Sequence, residues 1–113
     1  MATDTATKPY VIYTPSRAYE ILDSHNDSAF KSELERIVND SPYDLILDLC
    51  NIRQITNEGL VPIVGLRRIL KEKSKELKIA GLQKNVRSKF DTTGFYLIFN
   101  IFDTVEDAEK SYQ

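Results

Sequence analysis

The apolar positions of this chain change period several times, and each change marks an element. Tyr10–Tyr13 (YVIY) is a β-rich run closed by Pro15 and reads as a short strand. Residues 18–22 (AYEIL) form a second run compatible with a strand, followed by the turn and cap residues Asp23, Ser24, His25, Asn26 and Asp27. Beyond them Ala29, Phe30, Leu34, Ile37 and Val38 recur at helical spacing, which predicts a helix over 28–39. Pro42 ends it, because proline disfavours helical backbone at the preceding Ser41. Residues 45–49 (LILDL) are apolar apart from Asp48, the pattern of a strand buried on both faces or nearly so.

A polar stretch then leads into a helix predicted from about Glu58 or Leu60 to Lys75. Residues 77–82 (LKIAGL) read as another strand. Val86 and Phe90 stand on a short helix expected to stop near Gly94. Residues 95–102 hold a final strand, after which Asp103 or Thr104 caps a last helix through Val105, Ala108 and Tyr112. The resulting order, β-β-α-β-α-β-α-β-α, predicts an α/β fold with a mixed β-sheet packed against helices. No repeat, low-complexity tract or linker divides it, so residues 9–113 are expected to form one domain and residues 1–8 a disordered N-terminal arm.

Composition narrows the function. Hydrophobic residues make up 42% and charged residues 28%, ordinary for a soluble domain, and the net charge of −2 sets up no global field favouring nucleic acid or membranes. There is no apolar run of spanning length and no signal-peptide pattern at the start, and a lone cysteine, Cys50, suits a reducing cytoplasm. Cys50 reads as a small buried filler at a strand end, and His25 as a loop residue. The basic cluster Arg67, Arg68, Lys71, Lys73, Lys75 and Lys78 is interleaved with Glu72 and Glu76, the pattern of a solvated helix face. It offers no aromatic platforms for nucleic acid. No metal-ligand spacing, glycine-rich phosphate loop or nucleophile–base set occurs, so neither an enzyme nor a cofactor is expected.

The strand-to-helix turn Thr56, Asn57, Glu58, Gly59 stands out, since such turns aim backbone N–H groups and short side chains at solvent. Thr56 is the expected N-cap. Glu58 is either a favourable acidic helix start or a functional charge. At about 100° per residue Leu60, Ile63, Leu66 and Leu70 share one stripe, while Val61 and Val64 fall off it. Either neighbouring helices cover these valines or they form an apolar docking patch beside the turn. Pro62 fits best within about the first helical turn, where it delays or kinks the helix.

These stretches together resemble the STAS domain family, the fold of bacterial anti-sigma factor antagonists. Residues 45–49 with Ile52 and Ile55 are similar to its central strand and exit. Gly59, Leu60 and the helix through Lys71 are similar to its Asp-Ser-Ser/Thr-Gly-Leu motif and helix. Residues 77–82, Val86, Phe90, Gly94 and 101–108 are similar to its closing half. The resemblance implies a serine or threonine phosphoacceptor just before the motif glycine, where this chain has Glu58. The motif aspartate falls at Thr56 and the first serine at Asn57. A carboxylate cannot take up a phosphoryl group as a seryl switch does. The resemblance therefore implies a cytoplasmic protein-interaction module that lacks the acceptor at residue 58, with Thr56 the alternative phosphorylation site. Its partner would be an anti-sigma factor or serine kinase of the ATPase fold, bound through Thr56, Asn57, Glu58, Gly59, Leu60, Val61 and Val64. The other role implied is a structural or accessory subunit of a stress-signalling complex or of a lipid or anion transport system.

Overall fold

The computed structural model describes residues 9–112; the N-terminal arm expected over 1–8 lies outside them. Among the described residues six strands and four α-helices follow in the order β1 (Tyr10–Tyr13), β2 (Ile21–Leu22), α1 (Asp27–Asn39), β3 (Asp44–Asp48), β4 (Gln54–Ile55), α2 (Asn57–Glu72), β5 (Leu77–Ala80), α3 (Lys84–Thr93), β6 (Asn100–Phe102) and α4 (Val105–Lys110). Single 3-10 turns stand at Arg17–Tyr19 and Phe95–Leu97. The main sheet has the order β1-β3-β5-β6, and each of its ladders is parallel. The α/β architecture is the expected one, but the sheet is parallel where the pattern predicts a mixed one. The reason lies between β1 and β2. Pro15 and the 3-10 turn carry the chain off the sheet, so β2 never forms a hairpin with β1 and instead pairs in parallel with β4.

Alternation along the strands sorts side chains onto two unequal faces. Leu45, Leu47, Leu77 and Ile79 meet Phe30, Leu34 and Val38 of α1, Leu60, Ile63, Leu66 and Leu70 of α2, and Val86 and Phe90 of α3. The opposite face carries Ile46 and Ala80, covered by Ala108, Val105 and Tyr112 of the C-terminal segment. Lys78, expected on a solvated helix face, is on β5 and only 4% exposed. Its ammonium lies 3.6 Å from the centroid of the Tyr112 ring and donates to the Ser111 hydroxyl. Strand alternation turns it inward, and the aromatic ring takes the place of its hydration.

Helix ends follow the sequence signals. Thr104 caps α4 by accepting from the Asp107 N–H at 3.0 Å. Gly94 ends α3 at φ 76°, a left-handed conformation that glycine adopts without Cβ strain.

Candidate partner-binding site

The 56–59 turn is held from below by the small second ladder. The Glu20 carbonyl accepts from the N–H groups of Arg53 and Gln54, and Arg53 Nε donates to Glu20 Oε2 at 2.7 Å. The Thr56 N–H donates to the Leu22 carbonyl at 3.0 Å, which brings the last residue before α2 onto β2. Asn26 fixes the other side of β2, donating through Nδ2 to the Ile21 carbonyl and accepting from the Asp23 N–H. The two-residue strands β2 and β4 therefore position the start of α2.

Thr56 is the N-cap, as its residue type implies. Its backbone is extended, and its Oγ1 accepts from the Gly59 N–H at 3.3 Å. Helical residues begin at Asn57. Pro62 consequently falls in the second turn rather than the first, inside an unbroken helix and buried. Having no N–H, it cannot donate to the Glu58 carbonyl. Gly59 is buried against β2, and a Cβ there would stand 2.5 Å from the Leu22 carbonyl oxygen. Its role is close packing of the helix start on β2.

The residues singled out around the turn divide into two groups. Asn57 and Glu58 are exposed, and the Glu58 carboxylate has no ion-pair partner among the described residues. It sits in the first turn, where the helix macrodipole favours negative charge by about 0.3–1 kcal/mol. Val61 is 64% exposed. Val64 is half-buried and packs against the main core. Leu60 is a correction to the expected surface: it is 2% exposed and belongs to the core, because it lies on the stripe shared with Ile63, Leu66 and Leu70. Of the two valines, neighbouring residues thus cover Val64 in part and leave Val61 open.

Cys50 is also corrected. It is exposed, not a buried filler, because the chain leaves the sheet after Asp48. Its N–H donates to Asp48 Oδ1 at 3.1 Å, and partial burial followed by the nearby Asp48 charge pushes its thiol pKa up, away from reactivity. His25 is an exposed loop residue beside Asp23, as expected. The bulk of the basic cluster is exposed, but Lys73 is tied down, its ammonium donating to the Val38 carbonyl at 2.5 Å and to the Ser41 carbonyl at 3.3 Å.

Sequence reasoning missed one surface. Tyr96, Leu97 and Ile98 stand exposed between α3 and β6, with Leu97 74% exposed. The apolar run 95–99 was the available signal, but it reads equally well as strand.

The structure is a parallel α/β domain that presents a capped, polar strand-to-helix turn with an exposed valine behind it. The family model of the STAS domain matches residues 6–108, and the chain belongs to that family. It is 26% identical over 93 residues, 82% of this chain and 80% of the relative, to BtrV of Bordetella bronchiseptica, described as a candidate anti-sigma factor antagonist. Its fold is similar to that of a crystal structure described in the same terms from Thermotoga maritima, with a TM-score of 0.77, 17% identity, and coverage of 93% of this chain and 88% of that one. An anti-sigma-factor antagonist (STAS) domain protein from Planctomyces limnophilus superposes with a TM-score of 0.80 at 11% identity, covering 88% and 87% of the two chains. No described helix is long and apolar enough to cross a membrane.

Proposed function

We propose that this chain is a non-enzymatic, cytoplasmic interaction module of the anti-sigma factor antagonist type. It binds an anti-sigma factor or serine kinase of the ATPase fold and so frees that partner's target. The contact surface is Thr56, Asn57 and Glu58 at the helix start, seated on the buried Gly59, with Val61 and the outer part of Val64. Glu58 stands where the family's acceptor hydroxyl is expected, so the charge at this turn is permanent rather than added and removed by phosphorylation.

One observation carries the reading. An exposed, unpaired carboxylate and an exposed valine share the first turns of a helix whose start is fixed by a backbone bond to β2 and a threonine cap. A fixed start means that little ordering entropy is lost when a partner docks. The site also offers apolar contact beside charge, the composition of an interface core with its rim.

The test is incubation with the host's serine kinase of this type and ATP, followed by intact-mass measurement. The expected result is no added phosphate. A stoichiometric phosphate on Thr56 would make Thr56 the switch residue and end the reading of Glu58 as a permanent charge. Because a permanent charge also suits a constitutive subunit of a larger assembly, isolation of the native protein with such an assembly, and without an anti-sigma factor, would favour that second role.

A further inference from the structure

Two grooves border α2, the first reaching Asn57 of the turn and the second lined by no residue of it. The first, of about 400 Å³, is lined by Leu34 of α1, by Val61, Val64, Gly65 and Arg68 of α2, and by Phe95. Gly65 leaves open space where a side chain would stand. The second, of about 180 Å³, lies between the C-terminal half of α2 and the start of β6, with Arg67, Lys71, Lys75, Glu76, Ile98 and Asn100 in its walls, Glu76 accepting from Asn100 Nδ2 at 2.9 Å. Within the second groove Arg67 Nε donates to the Ile98 carbonyl at 3.0 Å, tying α2 to the segment that follows Phe95 of the first. Leu97 lies in sequence between the groove-lining Phe95 and Ile98 and is the most exposed large apolar side chain among the described residues. Arg68, Lys71 and Lys75 have no ion-pair partner among the described residues.

Resting on the reading of α2 as the interface, we infer that these grooves and residues 95–98 form one bipartite docking surface for a partner helix that carries large apolar residues flanked by carboxylates. The occupant's chemistry follows from complementarity. An apolar trough lined by Val61, Val64 and Phe95, with Leu97 exposed two residues further along the chain, needs apolar knobs. Three unpaired cations, Arg68 and Lys71 on α2 and Lys75 just past its end, need negative charge opposite them, and they disfavour a basic partner. A second copy of this chain meets that need poorly, because it would set the same cations against each other across a two-fold axis.

The probe is a short synthetic helix with leucines at i, i+4 and i+7 and glutamates on both flanks, compared with a twin in which lysines replace the glutamates. Fluorescence anisotropy measures binding to the intact protein. The glutamate peptide is expected to bind at least about tenfold more tightly than its twin, and less tightly as salt rises. Leu97→Asp should weaken it by about tenfold with an unchanged melting temperature, since the site is exposed. Lys71→Glu combined with Lys75→Glu should reverse the preference between the twins. Equal binding of the twins, no saturable binding of the glutamate peptide, or indifference to these substitutions overturns the inference. Glu58→Ser is assayed with the same peptide. A loss confined to that variant also overturns the groove, while leaving the 56–59 turn as the interface. Sedimentation provides a last check: a dimer abolished by Leu97→Asp would assign this surface to self-association and overturn the partner helix.

Discussion

The two faces of the sheet are stabilised in different ways. The face under α1, α2 and α3 is closed by interdigitated aliphatic and aromatic side chains, with Tyr19 against Phe30 at 5.0 Å and Phe90 against Phe99 at 5.7 Å between ring centroids. The other face has one short helix, α4, and leaves Ile12 exposed. It relies on specific polar contacts. Tyr10 stacks on Tyr112 at 4.6 Å and donates to Glu109 at 2.6 Å, Tyr112 donates to Asp44 at 3.1 Å, and Lys78 is enclosed between Tyr112 and Ser111. A deep apolar layer gives stability without direction, whereas a thin layer needs oriented hydrogen bonds to fix α4 in place. The deep layer also has a functional consequence. With the inner stripe of α2 supplying the burial, its outer side is free to remain uncovered.

The largest test of this contrast is a pair of truncations. Phe30→Ala on the deep face should cost about 3–5 kcal/mol, as for a fully buried aromatic. Phe102→Ala on the thin face, where the ring is half-buried, should cost about 1 kcal/mol. Urea unfolding of both variants decides it. Equal losses would show that the thin face is as integral to the core as the deep one.

The thin face should also fail first in alkali. The Tyr10 phenol is pushed up to about 12, first by its hydrogen bond to Glu109 and then by burial. Tyr112 is raised further, first by burial and then by the Asp44 charge. In both the fold favours the protonated phenol. Its contribution is therefore complete below the unfolded value, about 10, and is lost as pH rises through the folded values. Melting temperatures from pH 9 to 12 should fall for the native chain. Tyr10→Phe combined with Tyr112→Phe should start lower at neutral pH and decline less. A parallel decline would assign the alkaline loss to other groups.

Most of the deep face is legible in the sequence, and the thin face largely is not. Residues 45–49, the stripe Leu60, Ile63, Leu66 and Leu70, the cap Thr56 and the stop Gly94 are local signals: period, side-chain oxygen, absence of Cβ. The ladder of β2 and β4 is not local. Each strand has two residues and exists because Ile21 meets Gln54 and Leu22 meets Ile55 across the fold. Lys78 sits in a run of lysines and glutamates that reads as solvated, and its burial depends on Tyr112, far along the chain. At the site, Thr56 and Glu58 were readable because capping is local. Leu97 and Ile98 were not, because a short apolar run has the same period whether it enters a sheet or stands in solvent.

A smaller effect distinguishes the inner and outer sides of α2 above the deep face. Val64→Asp places a charge against the core and should cost about 1–3 kcal/mol, whereas Val61→Asp should stay within about 0.5 kcal/mol of the native chain. Binding should be ordered differently, with Val61→Asp weakening partner affinity despite its neutral stability. Thermal melts paired with calorimetry separate the two quantities. A large stability loss for Val61→Asp would mean that the outer side of α2 is core as well.

The smallest structural effect, and the most informative for function, is expected of Glu58→Ser. The carboxylate contributes only a modest helix-start term, and serine is itself well tolerated near a helix start, so folding should change by less than about 0.5 kcal/mol. The deep face beneath α2 does not involve this side chain, and the thin face is remote from it. Any change in binding is therefore attributable to charge at the turn. Two mechanisms predict opposite signs. If Glu58 imitates a phosphorylated, non-binding state, removing the charge should tighten the complex. If Glu58 faces a basic group on the partner, removing it should loosen the complex and reduce its salt dependence. The second is the expected outcome: a permanent charge that abolished binding would leave the ordered turn without a use, whereas a complementary pair steers association and fixes orientation. Calorimetry with the purified partner at low and moderate salt distinguishes them. Tighter binding by the serine variant would reverse the assignment, and unchanged binding would remove the 56–59 turn from the interface.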